Sequence, residues 1–301
     1  MVLITRPEGL GPDQITPSRR AALGLGAVGG LFFTAYAPAG LSQTAQPITT
    51  SSEGLTTANV TYPSADGFQL PAFLARPEGS GPFPVVIVVS EIFGVHEYIR
   101  DICRRLATSG YVAIAPAFFV READPAPLTD MQAVMQIVAK AGYEQVMGDI
   151  EATLTYLGTQ SYADTSKVGI TGYCWGGKVV WQAAARFDAI KAGVAWYGRL
   201  SPAATATEAQ VEAGRPWPID LAAALKSPVI GLYGSDDSGI PNDTVHAMNA
   251  ALSAAGKTDS YITLYDGAPH GFHADYRASY RPEDAAHAWA KLLDHFSSHL
   301  R

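Results

Sequence analysis

Cysteine is nearly absent from this chain: 301 residues contain two, Cys103 and Cys174. Two cannot make a disulfide framework, so the fold must rest on packing, and both are expected as free thiols. Charge is sparse as well. Asp, Glu, Lys and Arg make up 16% of the residues, the net charge is -7, and the Lys and Arg residues form no dense cluster. That balance argues against nucleic acid or an anionic membrane as the main partner. Low-complexity tracts are missing. The longest apolar run, from Ala21 to about Ala37, is short of the roughly 20 residues of a spanning helix and is broken by Gly24, Gly26, Gly29 and Gly30. What the chain does have is 48% hydrophobic residues, enough to bury the core of one large α/β domain or two small ones.

Residues 1–39 differ from everything after them and read as a twin-arginine-type signal peptide. Arg19 and Arg20 stand within Ser18-Arg19-Arg20-Ala21-Ala22-Leu23, the apolar run follows, and Ala37-Pro38-Ala39 has the small-residue pattern of a cleavage site. The reading predicts a bacterial protein exported folded to the periplasm or secreted; a retained anchor is the alternative. Gly24-x-Gly26-x-x-Gly29 matches a dinucleotide fingerprint in form only, since no strand precedes it. Residues 40–54, rich in Ser and Thr, are expected as a flexible lead-in, and residues 55–301 as one domain.

That domain alternates strand and helix. Asn59 to Pro63 and Phe68 to Ala75 predict an antiparallel hairpin turning at Asp66-Gly67. Val85 to Val89, five apolar β-branched residues in succession, predicts a central parallel strand covered on both faces. Further strands are expected at Tyr111 to Ala115, Lys167 to Thr171, Lys191 to Trp196, Val229 to Tyr233 and Tyr261 to Tyr265. Helices are expected between them, with an irregular insertion over residues 199–222 and a terminal helix from Pro282 to Leu300. Such alternation implies a mostly parallel, doubly wound α/β sheet, whose ligands bind beyond the carboxyl ends of the strands.

Three of those strand ends carry reactive residues. Gly172-Tyr173-Cys174-Trp175-Gly176 is the G-x-S-x-G nucleophile elbow with cysteine in place of serine: the glycines permit a sharp turn, and the following helix points its positive end at the sulfur. After Tyr233 come Asp236 and Asp237, and after Tyr265 comes His270. Cys174, Asp237, His270 is the nucleophile, acid, histidine order of an α/β-hydrolase, in which the histidine takes the thiol proton and the acid orients the imidazole. Asp237 is preferred over Asp236 because it stands four residues before Pro241. Each residue has a plainer alternative: a buried structural cysteine, a helix-capping aspartate, a loop histidine. His270-x-x-His273 with Asp275 offers too few ligands for zinc, so no metal or other cofactor is expected. At the end of the Val85–Val89 strand, Ile92 occupies the position where this fold supplies a second oxyanion donor, so the backbone N–H groups of Ile92 and Trp175 are the candidate oxyanion hole. Glu91, a carboxylate next to that position, suggests control over when the thiolate forms.

Glu91-Ile92-Phe93-Gly94-Val95, Gly172-Tyr173-Cys174-Trp175-Gly176-Gly177, Asp237 with Pro241, and His270 together resemble the dienelactone hydrolase (carboxymethylenebutenolidase) family, over nearly all of the chain from Asn59 onward. The resemblance implies a metal-free Cys-His-Asp hydrolase of enol lactones, with Glu91 holding the thiol proton at rest. It also implies an arginine for the substrate carboxylate at P-x-x-x-x-R spacing, which Pro116 and Arg121 fit. Two features depart from the family pattern: the first arginine after His270 is Arg277, seven positions on, and the chain carries an export signal. A small-molecule lactone or ester is therefore the expected partner. A general carboxylesterase or thioesterase, or a non-catalytic protein sensing ligand or oxidation through Cys174, are the other readings.

Overall fold

A computed structural model describes residues 47–301. The twin-arginine-type segment 1–39 and the first part of the lead-in lie outside the described residues. From Pro47 to Gly54 the lead-in runs along the domain, where Thr50 donates to Asp101 from its backbone N–H (2.6 Å) and its hydroxyl (3.2 Å).

Eight strands form one sheet: β1 (Leu55–Pro63), β2 (Gln69–Pro77), β3 (Phe83–Val89), β4 (Val112–Pro116), β5 (Ala163–Tyr173), β6 (Ile190–Trp196), β7 (Val229–Gly234) and β8 (Tyr261–Tyr265). Their spatial order is β1-β2-β4-β3-β5-β6-β7-β8. β1 pairs with β2, and β2 with β4, antiparallel; every other pairing is parallel. This is the α/β-hydrolase architecture expected from the alternation. The first hairpin turns at Asp66-Gly67, where Gly67 takes the positive φ of 82° that such a turn needs. Residues Val85 to Val89 are all inaccessible to solvent. Burying each such side chain contributes roughly 1.5–3 kcal/mol, which makes β3 a fixed central element.

The described residues form eight α-helices: α1 (Glu97–Thr108), α2 (Met131–Val138), α3 (Tyr143–Gly158), α4 (Trp175–Arg186), α5 (Glu208–Ala213), α6 (Pro218–Leu221), α7 (Asn242–Ala254) and α8 (Pro282–Leu300). The β5–β6 register shows which face each covers. Gly169 is level with Ala192, and Ile170 with Gly193. A Cβ at Gly169 would meet Phe296 and Leu300 of α8, whereas one at Gly193 would meet Val180 of α4. Adjacent levels point to opposite faces, so α8 and α4 sandwich the central strands. Residues 129–158 hold two helices, α2 and α3, divided where the sequence suggests a break, with Gly142 at the N-cap of α3. The 199–222 insertion is also more ordered than expected: α5 starts at a capping box in which Thr207 and Gln210 bond reciprocally, and α6 starts with Pro218 at its first turn.

Candidate active site

Backbone geometry at the end of β5 sets the site. Cys174 has φ 57° and ψ −112°, a conformation costly for a residue with a side chain. It is held there by its N–H donating to the carbonyl of Trp196 (2.9 Å) and by its own carbonyl accepting from Gly177 (3.0 Å). The glycines around it allow very close backbone approach. A Cβ on Gly172 would lie 2.3 Å from the Gly176 oxygen, and one on Gly177 would lie 2.4 Å from the Trp196 oxygen. The elbow is thus clamped between β3 and β6, and the thiol-bearing residue stands, 3% exposed, at the N-terminus of α4. Cys103 is buried inside α1, and neither cysteine forms a disulfide.

The loops after β7 and β8 approach closely because Gly234 has no side chain: a Cβ there would fall 2.1 Å from the Ala268 oxygen. Ser235 and Asp236 then donate across the gap to Tyr265 and Ala268 (2.9 and 3.0 Å). Asp237 is buried and Asp236 exposed. One oxygen of Asp237 accepts from Gly239 N–H (2.9 Å), and the other is 2.6 Å from Nδ1 of His270. Neither aspartate caps α7, whose cap position is Pro241. The Cys174 thiol is close enough to the His270 ring to affect its protonation, so cysteine, histidine and aspartate lie in one neighbourhood. Burial disfavours the imidazolium, but the Asp237 carboxylate and then Cys174 outweigh it and raise the His270 pKa to about 10. Tyr197, in a left-handed conformation at φ 35°, sets its ring edge-on to His270 at 5.2 Å.

The proposed oxyanion donors stand on segments that touch. A Cβ at Gly176 would lie 2.4 Å from the Val89 oxygen and 2.7 Å from that of Ser90. The first turn of α4, with Trp175, therefore rests on Val89 at the end of β3 and on Ser90, two residues before Ile92. Trp175 packs on Phe119 at 4.8 Å and Phe118 at 6.2 Å between ring centroids, which builds an apolar wall beside the elbow.

Two residues assigned by resemblance sit in other company. Glu91 is fully buried. One of its oxygens lies 2.9 Å from His96 Nε2, and both accept from the Tyr276 hydroxyl at 3.1 and 3.0 Å. Burial would raise its pKa, but the His96 bond, the Arg277 charge and the Tyr276 bond more than offset that and lower it. Arg121 is turned to the first hairpin and α3: it donates to Asp66 (2.6 Å), Ser64 (2.9 Å) and Asp149 (2.5 Å) and lies over the Phe68 ring. Its fork is taken by protein acceptors, because Asp149 is buried in α3 and needs a cation. Arg277, whose part the sequence left undecided, does reach the site. It donates to the Tyr276 hydroxyl (3.1 Å), covers the Phe93 ring at 5.2 Å and faces Glu91 electrostatically. His273 faces Tyr98, whose hydroxyl is 2.7 Å from its Nδ1, and stacks on Trp289. Sequence reasoning missed His96, Tyr197 and Tyr276; only the proximity of His96 to the Glu91-Val95 segment offered any signal.

Comparison with known proteins agrees with this geometry. The profile of the dienelactone hydrolase family matches residues 70–300. A Methylorubrum extorquens protein named "Putative carboxymethylenebutenolidase" is 45% identical over 284 residues, covering 94% of each chain. An Escherichia coli K12 protein of the same name is 40% identical, over 88% of this chain and 95% of its own. Among solved structures, a "Putative Dienelactone Hydrolase from Klebsiella pneumoniae" superposes with a TM-score of 0.75 at 41% identity, covering 81% of this chain and 99% of that one.

Proposed function

Since the chain belongs to the dienelactone hydrolase family and is a hydrolase of ester or lactone bonds, we propose that it works through a Cys174–His270–Asp237 triad and an acyl-thioenzyme. The observation that carries this reading is the 2.6 Å bond from His270 Nδ1 to Asp237, with the same imidazole reaching Cys174 on the strained elbow. Cys174 attacks the carbonyl carbon as its proton resides on His270. The tetrahedral oxyanion takes hydrogen bonds from the N–H groups of Ile92 and Trp175. On collapse the alkoxide leaving group takes the proton from His270; in a lactone it remains tethered to the acyl group. His270 then activates water, which attacks the thioester and frees Cys174. Asp237 holds the imidazole with Nδ1–H toward itself, leaving Nε2 for the thiol.

The substrate we propose is a small lactone or ester with an anionic group, which Arg277, over the Phe93 ring, would receive. Replacing Cys174 by Ala should abolish hydrolysis of dienelactone or p-nitrophenyl acetate while far-UV circular dichroism stays unchanged. Turnover by a folded Cys174→Ala protein would refute the triad. We also propose export to the periplasm, on the twin-arginine segment Ser18 to Leu23. Fractionation of cells expressing the full chain and an Arg19→Lys/Arg20→Lys chain tests it: equal periplasmic amounts would rule out that route.

A further inference from the structure

His96 is a buried histidine that the reaction above leaves unused. It stands at the cap position before α1, 5% exposed. Its ring makes edge or stacked contacts with Phe93, Tyr98 and Tyr276, and its Nε2 lies 2.9 Å from Glu91 Oε2. Nδ1 is buried without a hydrogen-bond partner. A phenylalanine would fill the same aromatic niche without burying two ring nitrogens, so packing alone does not account for the imidazole. Its polar contact is with Glu91 alone, and none of its contacts is to Cys174, His270 or Asp237.

Glu91 joins two loops that catalysis must keep in register. It directly precedes Ile92, the oxyanion donor, and its carboxylate accepts from Tyr276, six residues after His270. Tyr276 accepts in turn from Arg277. With both oxygens engaged by Tyr276 and one by His96, the carboxylate has a fixed direction, toward the His270 loop.

We propose that His96 is a positioning residue: by donating from Nε2 to Glu91 it keeps that carboxylate turned onto Tyr276, and so fixes the oxyanion loop relative to the loop carrying His270. This rests on the triad reading above. It gives Glu91 a part as an anchor between loops. Without His96 the carboxylate keeps one donor residue, gains freedom to turn, and the two loops lose their common reference. A displacement of about 1 Å at a catalytic group costs on the order of 100-fold in rate.

The test compares His96→Gln, whose amide nitrogen reaches the place of Nε2, with His96→Leu, which keeps bulk and loses the donor, and His96→Asn, whose amide sits at the place of Nδ1. Each is made in the wild-type and the Glu91→Gln background. Readouts are kcat and KM for p-nitrophenyl acetate and the peptide-resolved rate of iodoacetamide alkylation at Cys174. His96→Leu and His96→Asn are expected to lower kcat about 10- to 100-fold with little change in KM, and to slow alkylation. His96→Gln should stay within about threefold of wild type. In the Glu91→Gln background the cost of His96→Leu should largely vanish, because His96 acts through that carboxylate. An undiminished cost in that background, or His96→Gln no better than His96→Leu, would overturn the proposal. Should His96→Leu fail to fold, the comparison of Asn with Gln carries the decision. Hydrolysis that persists in Cys174→Ala would instead refute the triad, and the alkylation rates would still decide the role of His96.

Discussion

Gly176 offers the sharpest test of how the site is built. Its φ lies outside the left-handed region, so the backbone itself tolerates an alanine there; the obstacle is space. A Cβ would lie 2.4 Å from the Val89 oxygen and 2.7 Å from the Ser90 oxygen, where ordinary contact begins at 3.4 Å. Relief requires α4 to move from β3 by about 1 Å, the shortfall of 2.4 Å against 3.4 Å, since both opposing atoms are backbone, at the buried residues Val89 and Ser90. That motion separates the Trp175 N–H, on α4, from the Ile92 N–H, on the loop after β3. Loss of one oxyanion donor costs about 100- to 1,000-fold in kcat, and a misplacement near 1 Å costs about 100-fold. Gly176→Ala should therefore reduce kcat for p-nitrophenyl acetate about 100-fold with KM changed far less, and overpacking should destabilise the fold by about 1–3 kcal/mol. The control is Gly148→Ala in α3, where an added Cβ meets nothing within 4 Å; it should gain roughly 0.5–1 kcal/mol and leave kcat unchanged. Steady-state kinetics and urea unfolding on the three proteins decide the matter. A Gly176→Ala protein with wild-type kcat would show that the contact between α4 and β3 does not set the oxyanion geometry.

Two further substitutions probe the ion pairs. Arg121→Ala leaves Asp149, 1% exposed, without its cation; because burial already pushes the Asp149 carboxyl up despite that partner, unfolding free energy should fall by about 3 kcal/mol, and KM should hold, whereas a rise in KM with stability intact would make Arg121 a substrate ligand after all. Asp237→Asn removes the group that raises His270 from 6.5 to about 10. A raised histidine pKa stabilises the fold fully below pH 6.5 and loses that contribution as pH climbs through 10. The stability gap between wild type and Asp237→Asn should thus be widest near pH 6 and close toward pH 10 in urea titrations; a gap that widened with pH would contradict the pairing.

The parts legible in the sequence are those whose cause is local. Five β-branched residues from Val85 to Val89 announce β3 because nothing but a strand buried on both faces suits them. Cys174, Asp237 and His270 were legible because each follows a strand in the order that the fold requires. α5 was open to reading as well: Thr207-x-x-Gln210 is a capping-box signature, hidden among the Ala and Pro of the insertion. The Glu91 environment was not legible. Tyr276 is 185 residues away in sequence, and no spacing rule connects the two; the pair exists only because β3 and the loop after β8 end on the same side of the sheet.

Arg121 and Arg277 show why spacing identifies a residue better than it identifies a role. Pro116-x-x-x-x-Arg121 places an arginine after β4, but the direction of its fork depends on which acids lie nearby. Asp149, on the inward side of α3, has no other basic partner among the described residues, and Phe68 supplies a ring for the guanidinium to lie on. A substrate carboxylate at Arg121 would have to compete with a buried carboxylate that could not then be left uncompensated. Arg277 keeps different company: its Nε donates to the Tyr276 hydroxyl, and the Glu91 carboxylate that it faces electrostatically is bonded to His96 and Tyr276. If Arg277 receives the anionic group of the substrate, as proposed, recognition of that group falls on the loop after β8, which also carries the proposed catalytic base, so that substrate binding and alignment of His270 act on one segment.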